Sequence, residues 1–304
     1  MDSIFLSVLI PVYNWDLSEL LQRLAAQVLS LSRPDTVEIV VMDDGSSKRY
    51  EIDSSLLHNP IIRYHAFAEN RGRAAIRRQL LQEARGEYVL FLDADMLPDD
   101  DRFLHKYIEY AEAGSDIVCG GISYRQCRQK GGDYSFYLYK SSQTEVVAAD
   151  RRRLIPWRYL FTSNVMVRRQ VARTVPFDSR FAGYGFEDIE WALRLSALYK
   201  IEHIDNACTH MGLQTKKQAF SRMRQSIDNY VLFLSLHPRQ TAASPAVKVT
   251  RLLSFLPISF LHGLDRGLTR VFTAVRSDHL SFLIYQCDKM ILLTKALKRN
   301  RHYR

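Results

Sequence analysis

Three apolar runs in the first hundred residues each break off into a polar cluster, and helical patterns stand between them. Leu6 to Val12 ends at Tyr13-Asn14, Val37 to Met42 at Asp43-Asp44-Gly45-Ser46, and Tyr88 to Leu92 at Asp93-Ala94-Asp95. Runs this short, rich in Val, Ile and Leu, predict buried strands. After the first, Leu17, Leu20, Leu21, Leu24, Val28 and Leu31 share one helical face. Before the third, Arg71 to Ala84 reads as a helix that Gly86 ends. Asp101 to Ala113 then reads as helix and Asp116 to Ile122 as strand. A chain that alternates in this way predicts an α/β fold, an open and mostly parallel sheet with helices on both faces. Such sheets bind ligands beyond the carboxyl ends of their strands, which is where all three polar clusters fall.

The later sequence is less regular. Residues 124–155 are polar and tyrosine-rich, with Gly131-Gly132, and predict a loop region. Trp157 to Val167 reads as a strand, Glu187 to Tyr199 as a helix, and Ala219 to Leu236 as one further helix closed by His237-Pro238. Charge then marks off the tail. From Lys248 to Arg304 there are 11 Lys/Arg and 3 acids, a net of +8, so residues 1–247 carry +1 of the total +9. A nucleic-acid binder would want a basic face on the folded body, so this distribution argues against nucleic acid as a partner. The tail's Leu, Ile and Phe clusters among basic residues predict a C-terminal helical extension. It would lie on an anionic membrane surface or pair two copies in a homo-oligomer.

Two carboxylates at i and i+2 around a tight turn, as in Asp93-Ala94-Asp95, can address a divalent cation and a ribose together. Hard oxygen ligands suit Mg²⁺ or Mn²⁺. Alone, the motif is equally a pair of solvated turn acids, and Asp43-Asp44-Gly45-Ser46 alone is a common strand-to-loop turn. In combination they are more specific. Ser7-Val-Leu-Ile-Pro11-Val-Tyr13-Asn14, Val41-Met-Asp43-Asp44-Gly-Ser46, Asn70-Arg-Gly72 with Arg77, and Phe91-Leu-Asp93-Ala-Asp95 resemble the family 2 glycosyltransferases in order and spacing, over about 100 residues.

The resemblance implies a GT-A fold and transfer of a sugar from a nucleotide-diphosphate donor, a UDP-sugar, to a hydroxyl of a glycan or lipid-linked acceptor. It implies a divalent metal cofactor, Mn²⁺ or Mg²⁺. Pro11, Tyr13 and Asp44 would line the base pocket, Asp44 accepting a hydrogen bond from uracil. Asn70 and Gly72 would shape a loop, Arg77 would face the diphosphate, Asp93 the ribose and Asp95 the metal. Arg78 stands where the family often has Asn, and nothing is carried over to it. On this reading residues 1–125 form the nucleotide-sugar half, 126–238 the acceptor and catalytic half, and 239–304 the basic tail.

Phe181-Ala-Gly-Tyr-Gly-Phe-Glu187-Asp188-Ile-Glu190-Trp191 resembles the G-x-G-x-E-D motif of inverting enzymes with this fold. It implies Asp188 as the general base and Glu187 as a ligand of acceptor hydroxyls, although acids favour a first helical turn in any case. A lone histidine is more often structural than a ligand, yet relatives complete the metal site with a histidine near the position of His210. Asn164, in Thr162-Ser-Asn164, falls where relatives contact the donor sugar or acceptor. The Q-x-x-R-W motif of processive synthases is absent, which predicts transfer of one sugar per encounter.

The four cysteines form no C-x-x-C pair, and the N-terminus is acidic where a signal peptide would be basic. Both features predict a reduced, cytoplasmic protein, and the basic tail would place it peripherally on the inner membrane face. Two other classes remain: a sugar-phosphate nucleotidyltransferase, which would want a glycine-rich basic loop after the first strand, and a non-catalytic sugar-nucleotide-binding module.

Overall fold

The computed structural model describes residues 3–300 apart from 49, 51 and 130. The chain divides into two compact units. The first comprises Met1–Arg128, Thr144–Arg180 and Asp188–Gly212; the second comprises Gln129–Gln143, Phe181–Glu187 and Leu213–Arg304. The units are not the consecutive blocks 1–125, 126–238 and 239–304, because Gln129–Gln143 and Phe181–Glu187 belong to the same unit as the C-terminal helices.

The strands of the first unit are β1 (Leu6–Val12), β2 (Val37–Asp43), β3 (Ile62–Ala66), β4 (Tyr88–Leu92), β5 (Met96–Pro98), β6 (Ile117–Cys119), β7 (Ile122–Ser123), β8 (Asn164–Arg168), β9 (Ile201–His203) and β10 (Cys208–His210). Seven form a sheet in the order β3-β2-β1-β4-β8-β6-β9, and three form a small sheet, β5-β10-β7. In the large sheet β1 runs parallel to β2 and β4, β2 to β3, and β6 to β9, while β8 is antiparallel to both neighbours. The expected mostly parallel α/β architecture is present.

The helices are α1 (Ser18–Leu29), α2 (Ser54–Leu57), α3 (Arg73–Glu83), α4 (Phe103–Glu112), α5 (Ser135–Thr144), α6 (Ala149–Arg152), α7 (Arg169–Thr174) and α8 (Glu187–Ser196). There follow α9 (Lys216–Gln225), α10 (Ile227–Leu236), α11 (Pro238–Thr241), α12 (Pro245–Leu253), α13 (Ile258–Ala274) and α14 (Asp278–Arg299). Strand side chains alternate between faces, so each central strand feeds two cores. Val8, Ile10, Ile39, Val41 and Leu90 pack with Leu21 and Leu24 of α1 and Phe103 and Leu104 of α4. Leu9, Val40, Val89 and Phe91 pack the other way, with Ile76 and Leu80 of α3 and Trp191 and Leu195 of α8. Uniformly apolar strands are what two covered faces require.

Four expectations differ. The loop region predicted over 124–155 holds the helices α5 and α6. The predicted strand 116–122 splits at Gly120-Gly121 into β6 and β7, which belong to different sheets. The predicted strand 157–167 is a 3₁₀ turn at Pro156–Tyr159 followed by β8, since Pro at a first turn position favours helical geometry. The helix predicted over 219–236 is α9 and α10, meeting at Ser226, and it begins earlier, at a capping box between Thr215 and Gln218.

The second unit is helical. Phe220 stacks on Phe272 at 4.1 Å, and Phe136 meets Phe272 edge-on at 5.2 Å. Arg224 pairs with Asp265 at 2.9 Å and Asp288 at 2.7 Å, and Lys295 pairs with Asp265 at 2.5 Å. Three of the tail's charges are thus consumed in internal ion pairs. Arg301 and Arg304 lie outside the described residues. Among the described residues no helix is long and apolar enough to cross a membrane.

Candidate active site

The loops after β1 and β2 are laced together. Asn14, at φ 52°, donates its backbone N–H to Ser46 Oγ at 2.7 Å, and its side-chain oxygen accepts from Lys48 N–H at 2.9 Å. Beside them is a cavity of about 180 Å³ whose lining includes Trp15, Asp43, Lys48, Tyr50 and Tyr64. Tyr64 donates its hydroxyl to Asp43 Oδ2 at 3.1 Å. Tyr13 is half exposed nearby in sequence, and Pro11 is partly buried.

Asp44, expected against the base, has another task. It is buried, its Oδ1 accepts from Arg71 N–H at 2.7 Å and its Oδ2 from Gly72 N–H at 3.0 Å. It staples the exposed Asn70-Arg71-Gly72 loop to the end of β2 just ahead of α3. The acid lining the cavity is Asp43, which sequence reasoning left unassigned.

Arg77 projects from α3 and is buried, donating from Nη2 to Asp93 Oδ1 at 2.8 Å. A guanidinium held this way fixes the orientation of a carboxylate that is itself partly open to solvent. The tight turn after β4 then delivers Asp95 next to His210, with Asp95 Oδ2 and His210 Nε2 3.1 Å apart. The small sheet causes this meeting. Antiparallel pairing of β10 with β5 sets His210 opposite Met96, and Met211 N–H donates to Asp95 O at 2.8 Å.

Tyr124 stands behind the histidine, its hydroxyl 3.2 Å from Nδ1 and donating to Glu145 Oε2 at 3.1 Å. A hydroxyl that donates to Glu145 accepts from Nδ1–H, and Nε2–H of the protonated ring donates to Asp95 Oδ2; once that proton leaves, Nε2 offers its lone pair along the same line. Burial pushes the Asp95 carboxyl up, but the charge and hydrogen bond of His210, with the charge of Arg73, bring it net below its ordinary value. Burial likewise pushes His210 down, and the charge and hydrogen bond of Asp95, with the charges of Glu145 and Asp93, raise the imidazole net above its ordinary value.

This donor pair fits a divalent cation. Two ligands at about 2.1 Å from one octahedral ion lie about 3 Å apart, and a cation between them would take the place of the proton that Nε2 gives Asp95. Gly212 keeps the place open: a Cβ there would stand 2.2 Å from Asp95 Oδ2 and 3.2 Å from His210 Nε2. Among the described residues no three His, Cys, Asp or Glu side chains gather as a complete ligand set. A cation here would draw its remaining oxygens from a bound diphosphate and water, the usual arrangement for Mg²⁺ at phosphates.

Asn164 does not join this group. It is buried at the start of β8, its Oδ1 accepting from Tyr107 hydroxyl at 2.6 Å, its Nδ2 donating to Gly121 O at 2.8 Å and Asn206 O at 3.0 Å. An amide engaged on both ends within the protein ties strand ends together.

Glu187 is buried, and Asp188 is half-buried in the first turn of α8 with Oδ1 accepting from Ile189 N–H at 2.9 Å. Glu190 is buried in a two-point ion pair with Arg194. The segment before Glu187 is held from α10. Phe186, at φ 72°, stacks on Tyr230 at 4.2 Å, and Asn229 Nδ2 donates to Gly185 O at 2.8 Å. A bulky residue with positive φ is strained, and such strain concentrates at functional loops.

Residues 7–175 match the family described as Glycosyl transferase family 2. An uncharacterized glycosyltransferase of Bacillus subtilis (strain 168), YfnE, is 26% identical across 62% of this chain and 59% of its own length. The chain therefore spans about six-tenths of that relative. The mannosyltransferase PcManGT of Pyrobaculum calidifontis, solved in complex with GDP-Man and Mn²⁺, superposes with a TM-score of 0.53 at 16% identity, covering 98% of this chain and 88% of that one. Residues 1–349 of S. aureus TarS, in complex with UDP-GlcNAc, give 0.51 at 18% identity, covering 99% and 93%. At these identities the likeness establishes the fold, a GT-A fold.

Proposed function

The chain belongs to glycosyl transferase family 2, and from that premise we propose that it transfers a sugar from a nucleotide-diphosphate donor to an acceptor hydroxyl with inversion, one residue per encounter. The observation that carries this reading is the Asp95–His210 pair at 3.1 Å, kept open by Gly212, one turn past the ion-paired Asp93.

Asp95 and His210 would hold Mn²⁺ or Mg²⁺. Such an ion offsets the negative charge that builds on the departing diphosphate. Tyr124 and Glu145 orient the His210 ring toward that position. Arg77 holds Asp93 for the ribose, and the cavity beside Asp43, Tyr50 and Tyr64 receives the base. Asp188 removes the proton from the attacking hydroxyl, while Glu187 orients the acceptor. A single displacement then inverts the anomeric centre. PcManGT was solved with GDP-Man and Mn²⁺ and TarS with UDP-GlcNAc; of these donor classes we propose a UDP-sugar, met in the cytoplasm. The acceptor is a hydroxyl of a glycan or a lipid-linked sugar.

The test is a screen of sugar nucleotides for metal-dependent release of nucleoside diphosphate. The expected result is release from one donor class, silenced by EDTA and by Asp95→Asn. Full release in chelator without added metal would overturn the metal assignment. Failure of every sugar nucleotide to bind or react would overturn the transfer reading itself.

A further inference from the structure

The C-terminal helices carry a surface that sugar transfer does not use. Along α12 the residues Val249 and Leu252 follow at a spacing of three, and Phe255 continues that stripe into the turn before α13. Ile258 and Phe260 open α13 beside it. All five are exposed, Leu252 by 71% and Phe255 by 87%. Isolated exposed apolar side chains are ordinary, but five within twelve residues concentrate apolar surface that water disfavours. The other sides of these helices are anchored. Thr250 and Leu261 are buried, and Lys298 of α14 donates to Leu256 O at 2.5 Å across the turn.

Charge identifies the occupant. No acid occurs between Asp228 and Asp265, whereas Lys248 and Arg251 are exposed on either side of Val249. Asp265 is itself engaged by Arg224 and Lys295. The charges of Lys295 first, then burial, with Arg299 and Arg266, depress the nearby His262 imidazole against the opposing charge of Asp265. An apolar wedge rimmed by cations, without a facing acid, fits a negatively charged lipid surface. A second copy fits less well, because a two-fold contact would bring this basic patch onto itself.

We propose that the turn joining α12 to α13 inserts into an anionic leaflet, Leu252, Phe255 and Phe260 entering the acyl boundary while Lys248 and Arg251 reach the headgroups. This goes beyond sugar transfer and stands or falls separately from it. The long basic side chains lay their methylene stems along the wedge and keep their charges at the interface.

The experiment is co-sedimentation of the full chain with phosphatidylcholine vesicles, with and without phosphatidylglycerol, at low and high salt. Binding that requires phosphatidylglycerol and weakens with salt is expected. Leu252→Ser with Phe255→Ser should lower the partition by at least about tenfold. Lys248→Gln with Arg251→Gln should lower it at low salt and matter less at high salt. These side chains are exposed, so thermal unfolding should match the parent. The proposal is overturned if the parent ignores such vesicles or binds them regardless of lipid charge. It is equally overturned if the apolar double variant binds as the parent does, or if sedimentation velocity shows a dimer that this variant dissolves.

Discussion

Replacing Gly212 by alanine tests the proposed cation site through a single methyl group. The added Cβ would stand 2.2 Å from Asp95 Oδ2, 3.1 Å from its Cγ and 3.2 Å from His210 Nε2. Carbon reaches its best non-bonded separation near about 3.5 Å, so the carboxylate must retreat by roughly 1 Å. The φ of Gly212 lies outside the left-handed region, so alanine meets no backbone penalty there. The disturbance therefore falls on one carboxylate oxygen. A misplacement of about 1 Å at a reacting centre can cost on the order of 10²-fold. The expected outcome is a fall of about that size in kcat/KM, with weaker Mn²⁺ binding in the presence of UDP, read by the loss of the free-ion EPR signal. The melting temperature should stay within a few degrees of the parent, since Gly→Ala at a compatible φ changes stability by less than about 1 kcal/mol. Parental turnover with parental Mn²⁺ affinity would refute the assignment of Asp95 to the cation. A collapse in melting temperature would show that the glycine serves folding instead.

Asp188→Asn should bind donor as the parent does while kcat falls by about 10²-fold or more; lost donor affinity with retained turnover would make Asp188 a binding residue. His203 is buried, its Nδ1 accepting from Arg152 at 3.0 Å and its Nε2–H donating to Pro156 O at 3.0 Å. Burial lowers it to about 4 from an ordinary 6.5, so the unfolded chain alone takes the proton between these values. Stability should fall as pH drops from 6.5 to 4, by about 3 kcal/mol from this group, and His203→Gln should flatten that slope in urea titrations. Gly263, inside α13, has nothing packed within 4 Å of where an alanine methyl would stand, so Gly263→Ala should raise unfolding stability by about 0.5–1 kcal/mol in chemical denaturation.

The strands β1, β2 and β4 at the centre of the large sheet were legible from short apolar runs, whereas the edge strand β3 was not. Leu6–Val12, Val37–Met42 and Tyr88–Leu92 are apolar at almost every step, and α1, α3 and α4 lie within two residues of their sequence limits. Elements that depend on distant partners were not legible. β5, β7 and β10 have two or three residues each, too few for a period, and exist because they pair across the chain. The antiparallel direction of β8 is invisible for the same reason, since a strand's own residues do not record its neighbour's direction. The second unit draws on three separated segments, and local patterning shows only the helical character of each.

At the candidate site, sequence exposes residues that act by carrying charge and conceals those that act by saturation or by absence. Asp93, Asp95 and Arg77 announce themselves, and two of them meet as an ion pair between a buried guanidinium and a partly exposed carboxylate. Asp44 and Asn164 belong to residue types that could bind a donor, but their polar atoms are engaged by backbone N–H groups, carbonyls and a tyrosine hydroxyl, which only the folded chain reveals. Gly212 contributes empty space, a property with no chemical signature in a sequence. The Asp95–His210 pair joins both cases. Its members are 115 positions apart, and what unites them is the three-residue register of β10 on β5. Within that ladder His210 must face Met96, next to Asp95; a slip of one residue would turn its side chain to the opposite face. The geometry at the candidate cation therefore rests on short strands, and the register is tied by Thr209 Oγ1 donating to Asp99 Oδ1 at 2.6 Å and by the Met211 N–H bond to Asp95, with Tyr124 and Glu145 behind the histidine.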